Sequence, residues 1–80
     1  MKKVLYLHGL ESGQGGPKVD YLADNCFVHA PEMDYTRKDI FPYLIQMMED
    51  FDPDLIIGSS MGGYAAYMLS GFYGTPIIAF

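Results

Sequence analysis

Short apolar runs alternate along this chain with longer segments in which apolar residues recur at helical spacing. Continuous apolar runs of this length are typical of strands that are buried on both faces of a parallel sheet. Four such runs are predicted to be strands: Val4–Leu7, Cys26–His29, Leu55–Ile57 and Thr75–Phe80.

Three helices are predicted between these strands, at about 17–24, 39–51 and 61–72. Pro17 suits the first position of a helix, Asn25 is a fair terminator, and Gly74 ends the third helix. A start near Asp39 places Pro42 in the first turn, where no amide partner is lost. Thr36 is the alternative cap, but it would put Pro42 deeper in the helix.

The order βαβαβαβ predicts an α/β fold in which a four-stranded parallel sheet has right-handed crossovers. The expected strand order is 2-1-3-4, with one helix on one face of the sheet and two on the other. Residues 1–80 are predicted to form a single domain.

Composition restricts the function further. The chain has 80 residues, is 50% hydrophobic and carries a net charge of −5 without a basic patch, so nucleic acid is not an expected partner. Cys26 is the only cysteine, which predicts neither a disulfide framework nor a thiol metal site, and no metal site is predicted elsewhere. No stretch is long enough to span a bilayer, so no membrane partner and a cytoplasmic location are expected.

The most informative motif is Gly58-Ser59-Ser60-Met61-Gly62, which lies between a predicted strand and a predicted helix. G-x-S-x-G in this context is typical of a nucleophile elbow, with Ser60 exposed on a tight turn. The turn brings backbone close to backbone, which explains Gly58 and Gly62, and Gly63 leaves room where the helix meets the sheet. The alternative interpretation is that Ser60 merely caps the helix.

A second candidate site follows the first strand, at His8-Gly9-Leu10. In an α/β-hydrolase one oxyanion donor is the amide after the nucleophile, and another comes from a loop after an earlier strand. These donors would be the amides of Met61 and Leu10, with His8 and Gly9 shaping the loop. The loop matches neither the P-loop nor the dinucleotide-binding pattern, so nucleotide binding is not expected.

The remaining candidates are assigned structural roles. His29 would lie two strands from the elbow, too far to act as a base for Ser60. Met47 and Met48 lie on the helical stripe of the second helix and are predicted to fill the core. Tyr64 and Tyr67 could line a pocket or pack on the sheet, and packing on the sheet is predicted.

Three stretches together resemble the YqiA/YcfP-type small esterases of the α/β-hydrolase superfamily: Val-Leu-Tyr-Leu-His-Gly-Leu-Glu-Ser-Gly, the Pro31 loop and Ile-Gly-Ser-Ser-Met-Gly-Gly-Tyr-Ala-Ala. The resemblance implies a partial α/β-hydrolase fold. It also implies an esterase or thioesterase with a Ser…Asp…His triad, no cofactor and Ser60 as the nucleophile. It also implies that the chain is the N-terminal half of such a protein, because no residue after Ser60 is Asp, Glu or His. A truncated, weakly active or inactive hydrolase is therefore expected.

Two further expectations concern partners. If active, the protein would take a small ester or thioester, and the uncovered third and fourth strands predict a homodimer or larger oligomer formed through the last strand and that sheet face. The alternative function is a non-catalytic, flavodoxin-like interaction or oligomerisation module in which Ser60 is only a helix cap.

Overall fold

The computed structural model describes residues 2–9 and 17–79, and it confirms all seven predicted elements. Their bounds are β1 Lys3–Leu7, α1 Pro17–Asn25, β2 Phe27–His29, α2 Ile40–Phe51, β3 Leu55–Gly58, α3 Met61–Tyr73 and β4 Ile77–Ala79. The last strand begins two residues later than predicted, after Pro76, whose carbonyl accepts a hydrogen bond from the Ile56 amide at 3.0 Å.

The four strands form one parallel sheet in the order β2-β1-β3-β4, as predicted. The register pairs Leu7 with Gly58, so the last residues of β1 and β3 lie side by side. Because the carboxyl ends of parallel strands open on the same edge, the segments that follow Leu7 and Gly58 meet there. This juxtaposition brings the two predicted site segments together.

Two apolar clusters lie on opposite faces of the sheet. Leu5, Leu7 and Ile56 pack with residues of α2 and α3 on one face, whereas Val4, Tyr6 and Ile57 pack with Leu22 of α1 on the other. The prediction of one helix on one face of the sheet and two helices on the other is therefore confirmed. Met47 and Met48 are buried in the first of these clusters, as the helical stripe predicted.

The prediction that Tyr64 and Tyr67 pack on the sheet is wrong. Their exposed fractions are 61% and 68%, because α3 turns its smallest side chains toward the sheet instead. The buried residues of α3 are Gly62, Gly63, Ala65, Ala66 and Leu69. Small residues let this helix approach the strands closely, which leaves the aromatic side chains on its outer surface.

The face of the sheet that carries α1 is only partly open. Ile57 of β3 is 6% exposed, so the expectation that β3 is bare on this face is wrong. Ile78 of β4 is 47% exposed, and Ala79 is also exposed. The apolar exposure of this face therefore lies on the edge strand.

The helix ends follow local chemistry. Asp39 occupies the N-cap position of α2, but its carboxylate accepts two hydrogen bonds from Arg37, at 2.8 and 2.7 Å, and makes no cap bond. Pro42 lies in the first turn, as predicted from its missing amide. Gly74 ends α3 with φ 68°, a left-handed conformation that glycine adopts without strain. Within the described ranges, no helix combines the length and apolar character that crossing a bilayer requires.

Candidate active site

Ser60 lies on the turn between β3 and α3 in a backbone conformation that L-residues rarely adopt. Its φ is 55° and its ψ is −119°. A residue with positive φ usually lies in the left-handed helical region, but this ψ places Ser60 outside that region. Such a conformation costs on the order of 1–3 kcal/mol and persists only where the surrounding structure imposes it. Strain at the central serine of a strand-turn-helix segment is the geometry of a nucleophile elbow.

The side chain of Ser60 does not cap α3. A capping serine has an extended backbone, and its hydroxyl accepts a hydrogen bond from an amide of the first turn. Ser60 instead uses its main-chain carbonyl, which accepts from the amides of Gly63 at 2.9 Å and Tyr64 at 3.4 Å, and its side chain makes no cap hydrogen bond. Ser60 is exposed, and its hydroxyl does not form the helix cap that the alternative interpretation assigned to it.

Two glycines make the turn possible. A Cβ on Gly58 would overlap the carbonyl oxygen of Gly62, and a Cβ on Gly62 would overlap the carbonyl oxygen of Leu7. Both obstacles are backbone atoms, which cannot move aside as a flexible side chain can. The first turn of α3 thus packs directly on the ends of β1 and β3. Gly63 is also buried at this contact.

The loop after β1 passes next to Ser60. A Cβ built on the buried Gly9 would lie 3.0 Å from Ser60 Cβ and 3.6 Å from Ser60 Oγ. The amide of Met61, one predicted oxyanion donor, has no acceptor among the described residues. Leu10, the other predicted donor, lies outside the described residues. The described part of the site therefore comprises Ser60, the Met61 amide and the Gly9 backbone.

His8 is buried, with 6% exposure, and both of its ring nitrogens are engaged. The Met33 amide can only donate, so Nε2 of His8 accepts its hydrogen bond at 3.1 Å. The Gly9 carbonyl can only accept, so Nδ1 of His8 donates to it at 2.7 Å. His8 is therefore neutral with its proton on Nδ1, and it has no lone pair left to deprotonate Ser60.

Tyr35 is a residue of this site that the sequence analysis missed. Its hydroxyl donates to the His8 carbonyl at 2.5 Å across 27 positions of sequence, and burial raises the pKa of Tyr35 to about 12. The turn that carries it is held by Asp34, whose carboxylate accepts from the Thr36 hydroxyl at 2.5 Å and amide at 3.0 Å. Those bonds lower the pKa of Asp34. The pattern Asp-x-Thr marks such a turn, but nothing in it reveals the partner of the tyrosine.

His29 does not approach the elbow. β1 separates its strand from β3, and its ring lies against Phe51 at 5.5 Å between centroids. His29 and Phe51 line a cavity of about 500 Å³ between β2 and α2, and no described residue of the elbow lines this cavity. The described residues contain no group of three His, Cys, Asp or Glu side chains that could hold a metal ion.

The fold and the site together define an α/β protein whose candidate chemistry is centred on a strained serine at the carboxyl edge of a parallel sheet. The chain belongs to the uncharacterised protein family UPF0227, whose family model matches residues 3–80. The description of that family names no activity. Neither the curated proteins nor the solved structures that were searched include a match to this chain.

We expect Gly62→Ala to destabilise the protein by about 3 kcal/mol or more, because the new Cβ meets the Leu7 carbonyl. Gly71→Ala is the matched control in the same helix, since a Cβ there has nothing within 4 Å. The control should stabilise the protein by about 0.5–1 kcal/mol through helix propensity. Urea denaturation measures both changes, and equal stabilities of the two variants would contradict the close contact between α3 and β1.

Tyr35 should make the protein less stable at alkaline pH. Below its ordinary pKa of 10.0 the hydroxyl is neutral in both states, and its contribution to stability is complete. Between that value and about 12 the unfolded chain releases the proton while the folded protein keeps it, so the free energy of unfolding falls as pH rises. Tyr35→Phe should therefore reduce the slope with which the free energy of unfolding falls with pH. It should not abolish this slope, because the pKa of Tyr73 is also raised, by burial and by Glu49.

Urea denaturation between pH 9 and 12 on the wild type and Tyr35→Phe provides this measurement. Tyr67→Phe, on the outer surface of α3, is the control for loss of an exposed tyrosine. If the free energy of unfolding fell with pH as steeply in Tyr35→Phe as in the wild type, the burial of the Tyr35 hydroxyl would be contradicted.

Proposed function

We propose that this protein is a serine hydrolase of the α/β-hydrolase type that acts on carboxylic esters or thioesters through Ser60. The observation that carries the proposal is the backbone of Ser60, with φ 55° and ψ −119°, on a turn that two glycines make possible between β3 and α3. A helix cap would not need this strained conformation, whereas an exposed nucleophile on a sharp turn does.

The proposed chemistry is acyl transfer. Oγ of Ser60 attacks the carbonyl carbon as a base takes its proton, and the carbonyl oxygen becomes an oxyanion. The Met61 amide, which has no acceptor among the described residues, would donate to that oxygen together with the amide of Leu10. Collapse of the intermediate expels the alcohol or thiol, which takes up the proton, and water then releases the acid from Ser60.

The residues described around Ser60 do not supply a general base for its hydroxyl. Both ring nitrogens of His8 are engaged, and His29 lies beyond β1 against Phe51. We infer that the general base comes from outside the residues that the structure describes, from another segment or from another chain. Without it the oxyanion donors and substrate binding alone would support only residual catalysis.

Covalent labelling by a fluorophosphonate probe tests the assignment of Ser60. When the segment or chain that supplies the base is present, we expect labelling of the wild type and none of Ser60→Ala, because only a serine with an activated hydroxyl attacks the phosphorus. Hydrolysis of p-nitrophenyl acetate and butyrate should fall in parallel.

Ser59→Ala is the matched control, since Ser59 contributes to the turn through its backbone: its amide donates to Leu7 at 3.0 Å and its carbonyl accepts from Gly62 at 2.9 Å. Ser59→Ala should label like the wild type. Equal hydrolysis by the wild type and Ser60→Ala would exclude Ser60 as the nucleophile.

We also propose that the protein self-associates through β4 and the face of the sheet beside α1. In the described residues β4 pairs only with β3, and its Ile78 side chain is 47% exposed. An open edge with an apolar side chain is a template for another strand.

Light scattering after size-exclusion chromatography at micromolar concentration should give a dimer or larger species. Ile78→Lys should shift this species toward monomer, whereas Gln46→Lys, an equal change of charge on the exposed side of α2, should not. A folded wild-type monomer at that concentration would contradict self-association.

A further inference from the structure

We propose that the cavity between β2 and α2 binds a small organic cation with an aromatic body, such as an arylalkylamine. The cavity has a volume of about 500 Å³, within the range of about 300–1,000 Å³ that is usual for small-molecule sites. Its lining residues all lie between Phe27 and Phe51, and β1 separates β2 from the strand that leads to Ser60. The site is therefore distinct from the proposed nucleophile, and neither proposal depends on the other.

The walls of the cavity follow from the periodicities of a strand and a helix. Phe27 and His29 are two residues apart on β2, so their side chains lie on the same face of the sheet. Tyr43, Met47 and Phe51 recur at intervals of four residues on α2, which places them along one side of the helix. Three aromatic rings, an imidazole and a thioether therefore border one opening.

The described chain leaves part of this aromatic surface uncovered. The Phe27 ring lies 6.0 Å from the Phe51 ring and is tilted by 36° to it, yet Phe27 remains 60% exposed. His29 is also exposed, with its ring 5.5 Å from that of Phe51. An aromatic ligand in the cavity would remove the Phe27 ring from water and extend the ring cluster, and both effects favour binding.

The charge of the cavity favours a cation over an anion of the same shape. Asp50 is the only carboxylate among the lining residues, and none of those residues is Lys or Arg. Oδ1 of Asp50 accepts from Gln46 at 3.0 Å, and Oδ2 has no donor among the described residues. Residues 49–54 carry four carboxylates in all and no basic residue, so the local field is negative.

Two rings of the cavity already attract cations of the protein itself. The Lys3 ammonium lies 5.8 Å from the centroid of the Phe51 ring, and the Arg37 guanidinium lies 4.6 Å from that of Tyr43. Both distances are within the roughly 6 Å over which an aromatic ring attracts a cation. The exposed Phe27 ring offers the same interaction to the positive group of a ligand.

An extended peptide or a second copy suits this edge of the sheet less well. The Phe27 amide donates to the Lys2 carbonyl at 2.8 Å, so the alternation of the strand leaves Val28 as the residue of β2 whose N–H and C=O face away from β1. One such residue is a short template for an added strand. Two copies joined at β2 would also bring their acidic segments 49–54 to the same face of a joint sheet, which like charges oppose.

Tryptamine is the probe for this site, because the chain has no tryptophan and the indole emission is therefore free of protein background. We expect its fluorescence to change saturably as the wild-type protein is added. Indole-3-acetate, which carries a negative charge on the same ring system, should bind at least about tenfold more weakly. Equal affinities for the two compounds, or no saturable binding of tryptamine, would overturn the inference.

Two matched pairs of variants locate the ligand. Asp50→Asn keeps the shape of the side chain and should weaken tryptamine binding about threefold. Asp52→Asn removes the same charge outside the cavity, at a left-handed residue that asparagine tolerates, and should have a smaller effect. Phe27→Leu should weaken binding about fivefold, whereas Phe72→Leu, at a 70% exposed position of α3, should leave it unchanged. Wild-type affinity in either Asp50→Asn or Phe27→Leu would overturn the inference.

Two further measurements exclude other occupants and other sites. Light scattering in the presence of saturating tryptamine should give the same species as in its absence. Dissociation of an oligomer by tryptamine would show that a second copy covers the cavity, and it would overturn the inference. Ser60→Ala should bind tryptamine as the wild type does, because β1 separates the two sites. Weaker binding by Ser60→Ala would place the ligand at the serine and reject the cavity as its site.

Discussion

The contact between the first turn of α3 and the end of β1 is the constraint on which the site depends. The position of a Cβ on Gly62 is already taken by the Leu7 carbonyl, and that of a Cβ on Gly58 by the Gly62 carbonyl. At the same place the Ser59 amide donates a 3.0 Å hydrogen bond to the Leu7 carbonyl. There is therefore no room for a side chain between α3 and the strand ends at these two positions. The Gly9 backbone lies against the Ser60 side chain at the same place.

The strain at Ser60 is large on the scale of so small a domain. A positive φ with this ψ costs on the order of 1–3 kcal/mol, against a typical stability of about 5–15 kcal/mol for a folded domain. The packing of α3 offsets it, because Ala66 and Leu69 are fully buried against the sheet on the same helix. The outer side of α3 contributes little, since Tyr64 and Tyr67 are exposed there. The helix therefore holds the serine in place through its smallest residues.

The sheet could be predicted from the sequence because its signals are local. Apolar runs, Pro17, Pro42 and Gly74 mark the elements, and the handedness of crossovers then restricts their order. The sharp turn between β3 and α3 was also predictable, since its glycines and serine are adjacent in sequence. The role of Tyr35 was not, because its partner lies 27 positions away and a loop has no periodicity that indicates which side chain turns inward. The outward position of the α3 tyrosines was not predictable in the same way, because close packing of this helix on the sheet favours glycine and alanine over large side chains.

The hydrogen bonds of His8 also explain why this histidine is not available as a base. A histidine that orients a peptide group must keep one ring nitrogen as a donor and the other as an acceptor, and His8 uses both within the loop. Such a ring cannot also take a proton from Ser60 without losing its bond to Met33, a change that would leave a buried amide unpaired. Positioning and proton transfer are thus mutually exclusive for this residue. If Ser60 is the nucleophile, its base must therefore be a separate group that reaches this exposed residue from outside the core.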